Sequence, residues 1–567
     1  MIIIQVIVSN NIRVRGATTP LRAAITAALT IDNPQAVEKI KKRQPLWGIE
    51  RKLTLYVQEG PDIIVPRGFI NELREILKKQ GIDPDKVETY RQATPNQVNF
   101  GSWNEDYKLR DYQLPAVVAM ITSGAGGVIV APAGSGKTVI GLKAVQDLGT
   151  PTLWLTHTQD LAYQTAKKAQ ELLSDVGKVG LIGDGKVEYG SGKLTVALVQ
   201  ALAANPKIVE GLKDFIGLVV IDEAHHFPAP AFIDIAGQFP ARKMLGLTAT
   251  PERKDFLDVY MYRGIGPKLH TIQRDGLYDA GALIKPEVRF IYTDYRYEQG
   301  SDRNKEIDNV DAGGEDLDYR ALLDALTADE KRARMIAENI LEYTPGNYSI
   351  VLTESVRYCY VLRDMVEKLA QERWGGVTPR MAVIHGPLQR YKWLTAKGEK
   401  DAIAQVVNGY ALDSKFDGNA NRWKVKVDNY TAEEFKAWQI GSRERQDLMK
   451  LCGENKIDIL FATQLAREGL DMPHLSIGHS TMPKRGDAAG SSNGASTEQE
   501  IGRVMRKDPS NPNKKAIWFD YVDYFVGVFK SQYQSRRSVY KRLGIVLPNK
   551  PKTEIQQLDD WLGNLPY

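Results

Sequence analysis

Apolar and polar residues alternate at the start of the chain, in IIIQVIV and again in NIRVRG, on either side of Ser9-Asn10-Asn11. A period of two around a turn-forming group predicts a hairpin. LTLYVQ and IIVP flank Glu59-Gly60-Pro61-Asp62 in the same way and predict a second one. Apolar residues from Phe69 to Lys79 recur at helical spacing. Residues 1–95 therefore read as a small accessory α+β domain that folds by itself. From about residue 100 the pattern changes. Gly127–Val130, Thr152–Leu155, Thr195–Leu198, Leu218–Ile221 and Lys243–Leu247 are short apolar runs separated by helical stretches. That rhythm predicts a parallel sheet with crossover helices, because strands covered on both faces are apolar throughout. It restarts after residue 286, with Tyr348–Leu352, Met381–Ile384, Ile457–Phe461 and Ala516–Phe519 as candidate strands. Residues 390–445 are polar and read as an insertion. Segments 299–315 and 484–496 are rich in Gly, Asp and Ser and read as loops. The expected class is α/β: parallel-sheet domains over 100–285 and 286–545, a small domain before them and a tail over 546–567.

Composition changes this picture little. The chain has 567 residues, 43% hydrophobic and 26% charged, which is ordinary for a globular protein. The net charge of +5 says less than where the basic residues cluster. Two cysteines, Cys359 and Cys452, cannot build a disulfide framework or a zinc ribbon alone, and fit a reducing cytoplasm. The apolar start lacks a basic flank, so it reads as strands and not as a signal peptide. No run of about 18 apolar residues predicts a membrane span. Lys39, Lys41, Lys42, Arg43, Arg51 and Lys52 surround Trp47. They suit either contact with a nucleic acid or a solvated helix end with the indole in a local core. Lys530, Arg537 and Lys541 share one helical face and offer the same choice.

The chemistry is concentrated in short motifs. Ala131-Pro132-Ala133-Gly134-Ser135-Gly136-Lys137-Thr138 follows a strand and opens a helix. Glycines let backbone N–H groups curl around phosphate oxygens, and the helix N-terminus adds positive potential. Lys137 can reach the β- and γ-phosphates, and the Thr138 hydroxyl suits Mg²⁺. Asp222 and Glu223 end another apolar run, where ligands bind in parallel sheets. Asp222 can hold Mg²⁺, and Glu223 can activate an attacking water. Upstream, Arg110, Tyr112 and Gln113 are placed to bind a nucleotide base, Gln113 by donating and accepting together. Thr248-Ala249-Thr250 ends a further strand and could couple the nucleotide site to the second domain. In the second half, Gln499, Arg503 and Arg506 lie in QEIGRVMR, with the two arginines on one helix face at i, i+3. Their forks suit a γ-phosphate in transfer. Thr463 follows a strand and could hold a nucleic-acid phosphate; Gly469 and Asp471 lie just beyond, and Asp471 could accept from a ribose hydroxyl or from an arginine.

In this order the motifs resemble those of the superfamily 2 helicases over roughly 105–545. The resemblance implies two RecA-like motor domains that close over ATP and Mg²⁺, with a DEAH-form motif at Asp222–His225. It implies nucleic-acid contacts by Thr158, Leu161 and Gln164, by Thr195 and Gln200, by Thr463, and near Arg357. Ala131 stands where the general phosphate loop has Gly, as in the helicase form. Met505 stands where RNA helicases of the DEAD and DEAH groups usually have Gly. QEIGRVMRK and the tail Phe529–Gly544 look more like the DNA-acting branch of XPB and the phage UvsW helicases. The expected partner is therefore DNA, single-stranded, duplex or branched, and no membrane. An RNA helicase, an inactive nucleotide-gated scaffold and the motor of a restriction or defence complex are the competing readings. Stimulation of turnover by DNA against RNA separates the first; any turnover ends the second.

Overall fold

The computed structural model describes residues 4–249 apart from 42, 44 and 47, then 258–297, 319–386, 388, 391–394, 411–417, 422–427, 437–463, 472–484 and 497–547. Two compact units divide the chain, one over Met1–Leu283 and one from Ile284 onward.

The first unit begins with the expected hairpin, β1 (Gln5–Val8) and β2 (Asn11–Arg15), with Val8 opposite Ile12. The next stretch departs from the sequence reading. LTLYVQ is not one strand of a hairpin. Its first residues belong to β4 (Lys52–Thr54), which pairs with β3 (Thr30–Asp32) in a separate ribbon. Only β5 (Val57–Glu59) turns back on β6 (Asp62–Pro66). A short β7 (Glu88–Tyr90) completes a sheet of order β5-β6-β2-β1-β7. Val6, Val8, Ile12 and Val14 face Leu73 and Leu77, one turn apart on the helix Ile70–Lys79.

This small sheet does not stand apart. Arg67 is 2% exposed, and its guanidinium donates to the carbonyls of Ala241 (2.9 Å), Arg242 (3.0 Å) and Ala125 (3.3 Å). The Ala93 amide donates to the Pro240 carbonyl at 2.7 Å, the Asn10 amide to that of Gly237, and Arg263 pairs with Glu72. Ala125, Val259 and Tyr260 pack on the small core. The expected freestanding domain is therefore fastened to the larger sheet of the same unit.

That sheet contains β8 (Gly126–Val130), β9 (Thr152–Thr156), β10 (Gly180–Gly183), β11 (Lys186–Glu188), β12 (Leu194–Leu198), β13 (Leu218–Ile221), β14 (Lys243–Thr248) and β15 (Lys268–Thr271). Their order is β11-β10-β12-β9-β13-β14-β8-β15. All pairs except β10–β11 are parallel. All C-terminal ends of the parallel strands thus lie at one end, and Arg67 holds the opposite end, where β8 and β14 begin.

The second unit repeats the plan. Its main sheet contains β16 (Glu287–Tyr292), β17 (Ser349–Leu352) and β18 (Met381–Ile384). A three-stranded antiparallel sheet follows, β19 (Tyr391–Leu394), β20 (Ala411–Asp417) and β21 (Arg422–Val427), so the segment read as an insertion carries a sheet of its own. The main sheet resumes with β22 (Ile459–Ala462), β23 (Ile477–Ser480) and β24 (Ile517–Val522), in the parallel order β16-β24-β23-β17-β22-β18. Two buried ion pairs hold aspartates in and just past β24, the strand beside the edge strand β16. Arg332 forks onto Asp523 at 2.7 and 3.0 Å, and Arg536 onto Asp520 at 2.9 Å twice. The loop expected at 299–315 lies outside the described residues, as do the loop expected at 484–496 beyond Lys484 and the tail expected at 546–567 beyond Leu547.

Candidate functional site

The loop between β8 and the helix Lys137–Leu148 has the shape a phosphate needs. Gly134 and Gly136 adopt φ of 82° and 83°. A Cβ at Gly134 would meet the Leu283 side chain at 2.6 Å, and one at Gly136 the Gln113 amide nitrogen at 2.5 Å. Ala133, Lys137 and Thr138 are half-buried along the loop and the first helical turn. The Ser135 hydroxyl is buried with no hydrogen-bond partner among the described residues. A buried orphan of this kind calls for an acceptor or donor from outside. The donor set and the cradle fit a polyphosphate.

Gln113 lies under this loop. It is 3% exposed, its amide donates to the Ser135 carbonyl at 2.8 Å, and its oxygen accepts from the Arg110 amide at 3.0 Å. One N–H and one lone pair remain for a base, so Gln113 braces the loop first. The Arg110 guanidinium donates to the Tyr112 hydroxyl at 3.0 Å.

Asp222 and Glu223 arrive at the end of β13, two strands away. Glu223 sits at φ 47°, a left-handed conformation rare for this residue type and common at functional sites. The turn brings its carboxylate to 3.1 Å from the Lys137 ammonium and 3.4 Å from His225 Nδ1. His225 Nδ1 also lies 3.2 Å from the Thr248 hydroxyl at the end of β14. Burial, with the charge of Glu223 beside it, pushes the Asp222 carboxyl up to about 6. Burial acts the same way on Glu223, but Lys137 and then His225 outweigh it and hold that carboxyl well below its usual range. The histidines continue into a row the sequence reading did not single out, with His226 4.2 Å from both His225 and His157 between ring centroids. A doubled His in DEAHH was its only sequence signal. Thr250 lies outside the described residues.

The expected nucleic-acid residues divide. Thr158 caps the helix Gln159–Leu172, accepting from the Leu161 amide at 3.5 Å, and Gln164 is half-buried on that helix. Gln200 is exposed just past β12. Thr195 is not available: it lies within β12, 2% exposed and against Gly180, because a central parallel strand is covered on both faces. In the second unit Arg357 is exposed in the first turn of the helix Val356–Arg373, and Thr463 follows β22. Gly469 and Asp471 lie outside the described residues.

The arginine pair also needs correction. The helix Thr497–Val504 carries Gln499 and Arg503 but ends before Arg506, so the two arginines do not share a helix face. Instead the buried Lys514 fixes Arg506 from below: its ammonium donates to the carbonyls of Arg506 and Pro473. A second brace runs from Arg536 to the Lys484 carbonyl, and from the Lys484 ammonium to Glu500 on the same helix. These contacts join residues far apart in sequence, and no local pattern marks them.

Two family models match, in chain order. Residues 106–253 match the type III restriction enzyme res subunit, and residues 411–508 match the helicase conserved C-terminal domain. Over 33% of its length the chain is 36% identical to a putative DNA 3′-5′ helicase Rad25 of Halobacterium salinarum, covering 31% of that protein. It is 35% identical to the DNA 3′-5′ translocase XPB2 of Sulfurisphaera tokodaii, over 26% of this chain and 32% of the other. A longer match, 24% identical over 89% of this chain and 79% of the other, is to a putative ATP-dependent RNA helicase of Acanthamoeba polyphaga mimivirus. The chain thus spans about a third of the length of the two DNA-acting relatives. Both models match in chain order and Rad25 and XPB proteins are among the relatives, so the chain resembles the superfamily 2 helicases and, among them, the XPB-like branch.

Proposed function

We propose that the protein hydrolyses ATP at the loop Ala131–Thr138 and uses the cycle to move along DNA, unwinding or remodelling branched DNA in recombination, repair or replication. The observation that carries the chemistry is the contact between Lys137 and Glu223. A polyphosphate in the loop competes for the Lys137 ammonium. As Lys137 turns to the phosphates, Glu223 loses the cation that depresses its basicity and becomes a better base for water. His225 keeps its orientation and links it to Thr248. Thr138 and Asp222 are the residues that would hold Mg²⁺, which when bound neutralises phosphate charge.

Glu223→Gln should keep ATP binding and lose hydrolysis by about two to four decades, the range for a positioned base. Loss of ATP binding would make Glu223 structural instead. DNA is favoured by the Rad25 and XPB relatives. The mimivirus relative supports the second reading, an RNA helicase. Turnover measured with single-stranded, duplex, forked and four-way DNA, and with RNA, tests both. Stimulation by RNA alone would replace the DNA reading.

A further inference from the structure

The helix Gly527–Arg542 contains no acidic residue. It buries Phe529, Tyr533, Arg536, Val539 and Tyr540 against the second sheet. Its other side carries Lys530, Arg537 and Lys541 at i, i+7 and i+11, a single face spanning about 16 Å at the helical rise. Lys530, Arg537 and, after β16, Arg296 are seated on aromatic rings. Lys530 lies 5.1 Å from the ring centre of Tyr524, Arg537 lies 5.6 Å from that of Tyr533, and Arg296 lies 4.3 Å from that of the exposed Phe525. The rings are fixed in turn: the Tyr292 hydroxyl is 3.0 Å from that of Tyr533, and its ring meets Tyr524 edge-on at 6.1 Å. Neither Lys530 nor Arg537 forms an ion pair with a carboxylate among the described residues. Side chains ordered in this way have already lost the rotamer freedom that binding would otherwise cost.

Position adds a second argument. Arg296 follows β16, and Tyr524 and Phe525 follow β24. Those strands are parallel to β17 and β22, so the cluster lies at the end of the sheet where Arg357 and Thr463 also lie. From there the helix carries the basic face down the flank.

We propose that Arg296, Lys530, Arg537 and Lys541 form a track for the phosphodiester backbone of DNA, outside the helicase motifs. Charge complementarity selects the occupant. The cations follow a line, and a DNA strand offers one phosphate per about 3.4 Å of axis. The inference rests on the DNA-motor reading and extends the DNA path beyond Thr463 and Arg357.

The test is binding to a fluorescent DNA duplex over a salt series, with the full chain. Replacing Lys530, Arg537 and Lys541 together by Gln should flatten the slope of log K against log salt by about two to three, at about 0.9 per phosphate contact. Turnover without DNA should stay at the wild-type level. The charge-keeping variant Lys530→Arg, Arg537→Lys, Lys541→Arg should restore most of the slope, which separates lost charge from lost folding. A wild type with no salt-dependent DNA affinity overturns both the motor reading and the track. A wild type that binds, with a Gln variant of equal slope and affinity, overturns the track alone, and so does a charge-keeping variant that fails to recover.

Discussion

In the first unit the buried Arg67 and the half-buried Lys243 end on backbone carbonyls: Arg67 on Ala125, Ala241 and Arg242, Lys243 on Met120, Ile121 and Ser123. In the second unit Arg332 and Arg536 end on aspartates, Asp523 and Asp520. Burial lowers Arg67 to about 10 and Lys243 to about 8. It also disfavours the charge on Arg332 and Arg536, but the facing aspartates more than reverse it. The two kinds of cation hold different things. Arg67 staples an outlying sheet to the larger sheet of the same unit, and Lys243 closes the last turn of the helix Leu114–Thr122. Arg332 takes the Tyr358 hydroxyl and the Thr481 carbonyl as well as Asp523, and Arg536 reaches the backbone of Lys484. Those pairs set the geometry around the helix that bears Gln499 and Arg503.

Breaking a pair should therefore cost more than pulling a staple. Asp523→Ala leaves Arg332 buried and uncompensated, a loss of about 3–5 kcal/mol. Arg332→Met with Asp523→Leu should recover most of it, since apolar replacement of both partners is often neutral. Urea unfolding of the single and double variants measures this; a double variant as weak as the single one would mean that the pair holds more than its own charges. Arg67→Met strands the buried carbonyl of Ala241, at about 1–3 kcal/mol, while that of Ala125 keeps the Met244 amide and Arg242 is exposed. It should loosen residues 4–90 before the rest of the unit, read as faster amide exchange at β1, β2 and β6 than at β9 and β13. Uniform exchange would show one cooperative block. For the same reason, deleting residues 1–95 should lower motor stability and not simply remove an accessory.

Much of the two parallel sheets was legible because their signals are local. Each parallel strand of the first sheet from β8 to β14, except β10, is a continuous apolar run, and the phosphate loop is one short word between strand and helix. β10 and β15 were missed because GLIG is half glycine and KLHT is only partly buried at an edge. β7 has three residues and no apolar pattern. Thr195 was expected in a strand and, by resemblance, at the nucleic acid; a polar side chain in a buried strand carries no mark of its burial. Gln113 was placed at the base; its bond to Ser135, 22 residues on, needs the fold. Lys514 and Arg536 are buried on partners far along the chain, and no local pattern marks them.

The smallest effect sharpens the comparison most, because Lys514 is the carbonyl-bound kind of cation placed in the second unit. It is 7% exposed and donates to Pro473 and Arg506. Burial lowers its ammonium to about 8, while Asp508 pulls upward and Arg506 downward, and His474 faces the same charges. In the unfolded chain a lysine titrates at about 10.4. Below about pH 8 Lys514 is charged in both states, and the folded state carries the whole desolvation cost. Between about 8 and 10.4 the unfolded chain binds more protons, so the contribution of Lys514 to stability rises with pH. Lys514→Met cannot titrate. The Tm of the wild type minus that of the variant should be flat below pH 8 and then shift in favour of the wild type, by about 1–2 °C for a protein of this size. A gap that moves the other way would mean that the carbonyls of Pro473 and Arg506 stabilise the ammonium by more than burial costs it, and the two units would then differ in partners but not in electrostatics.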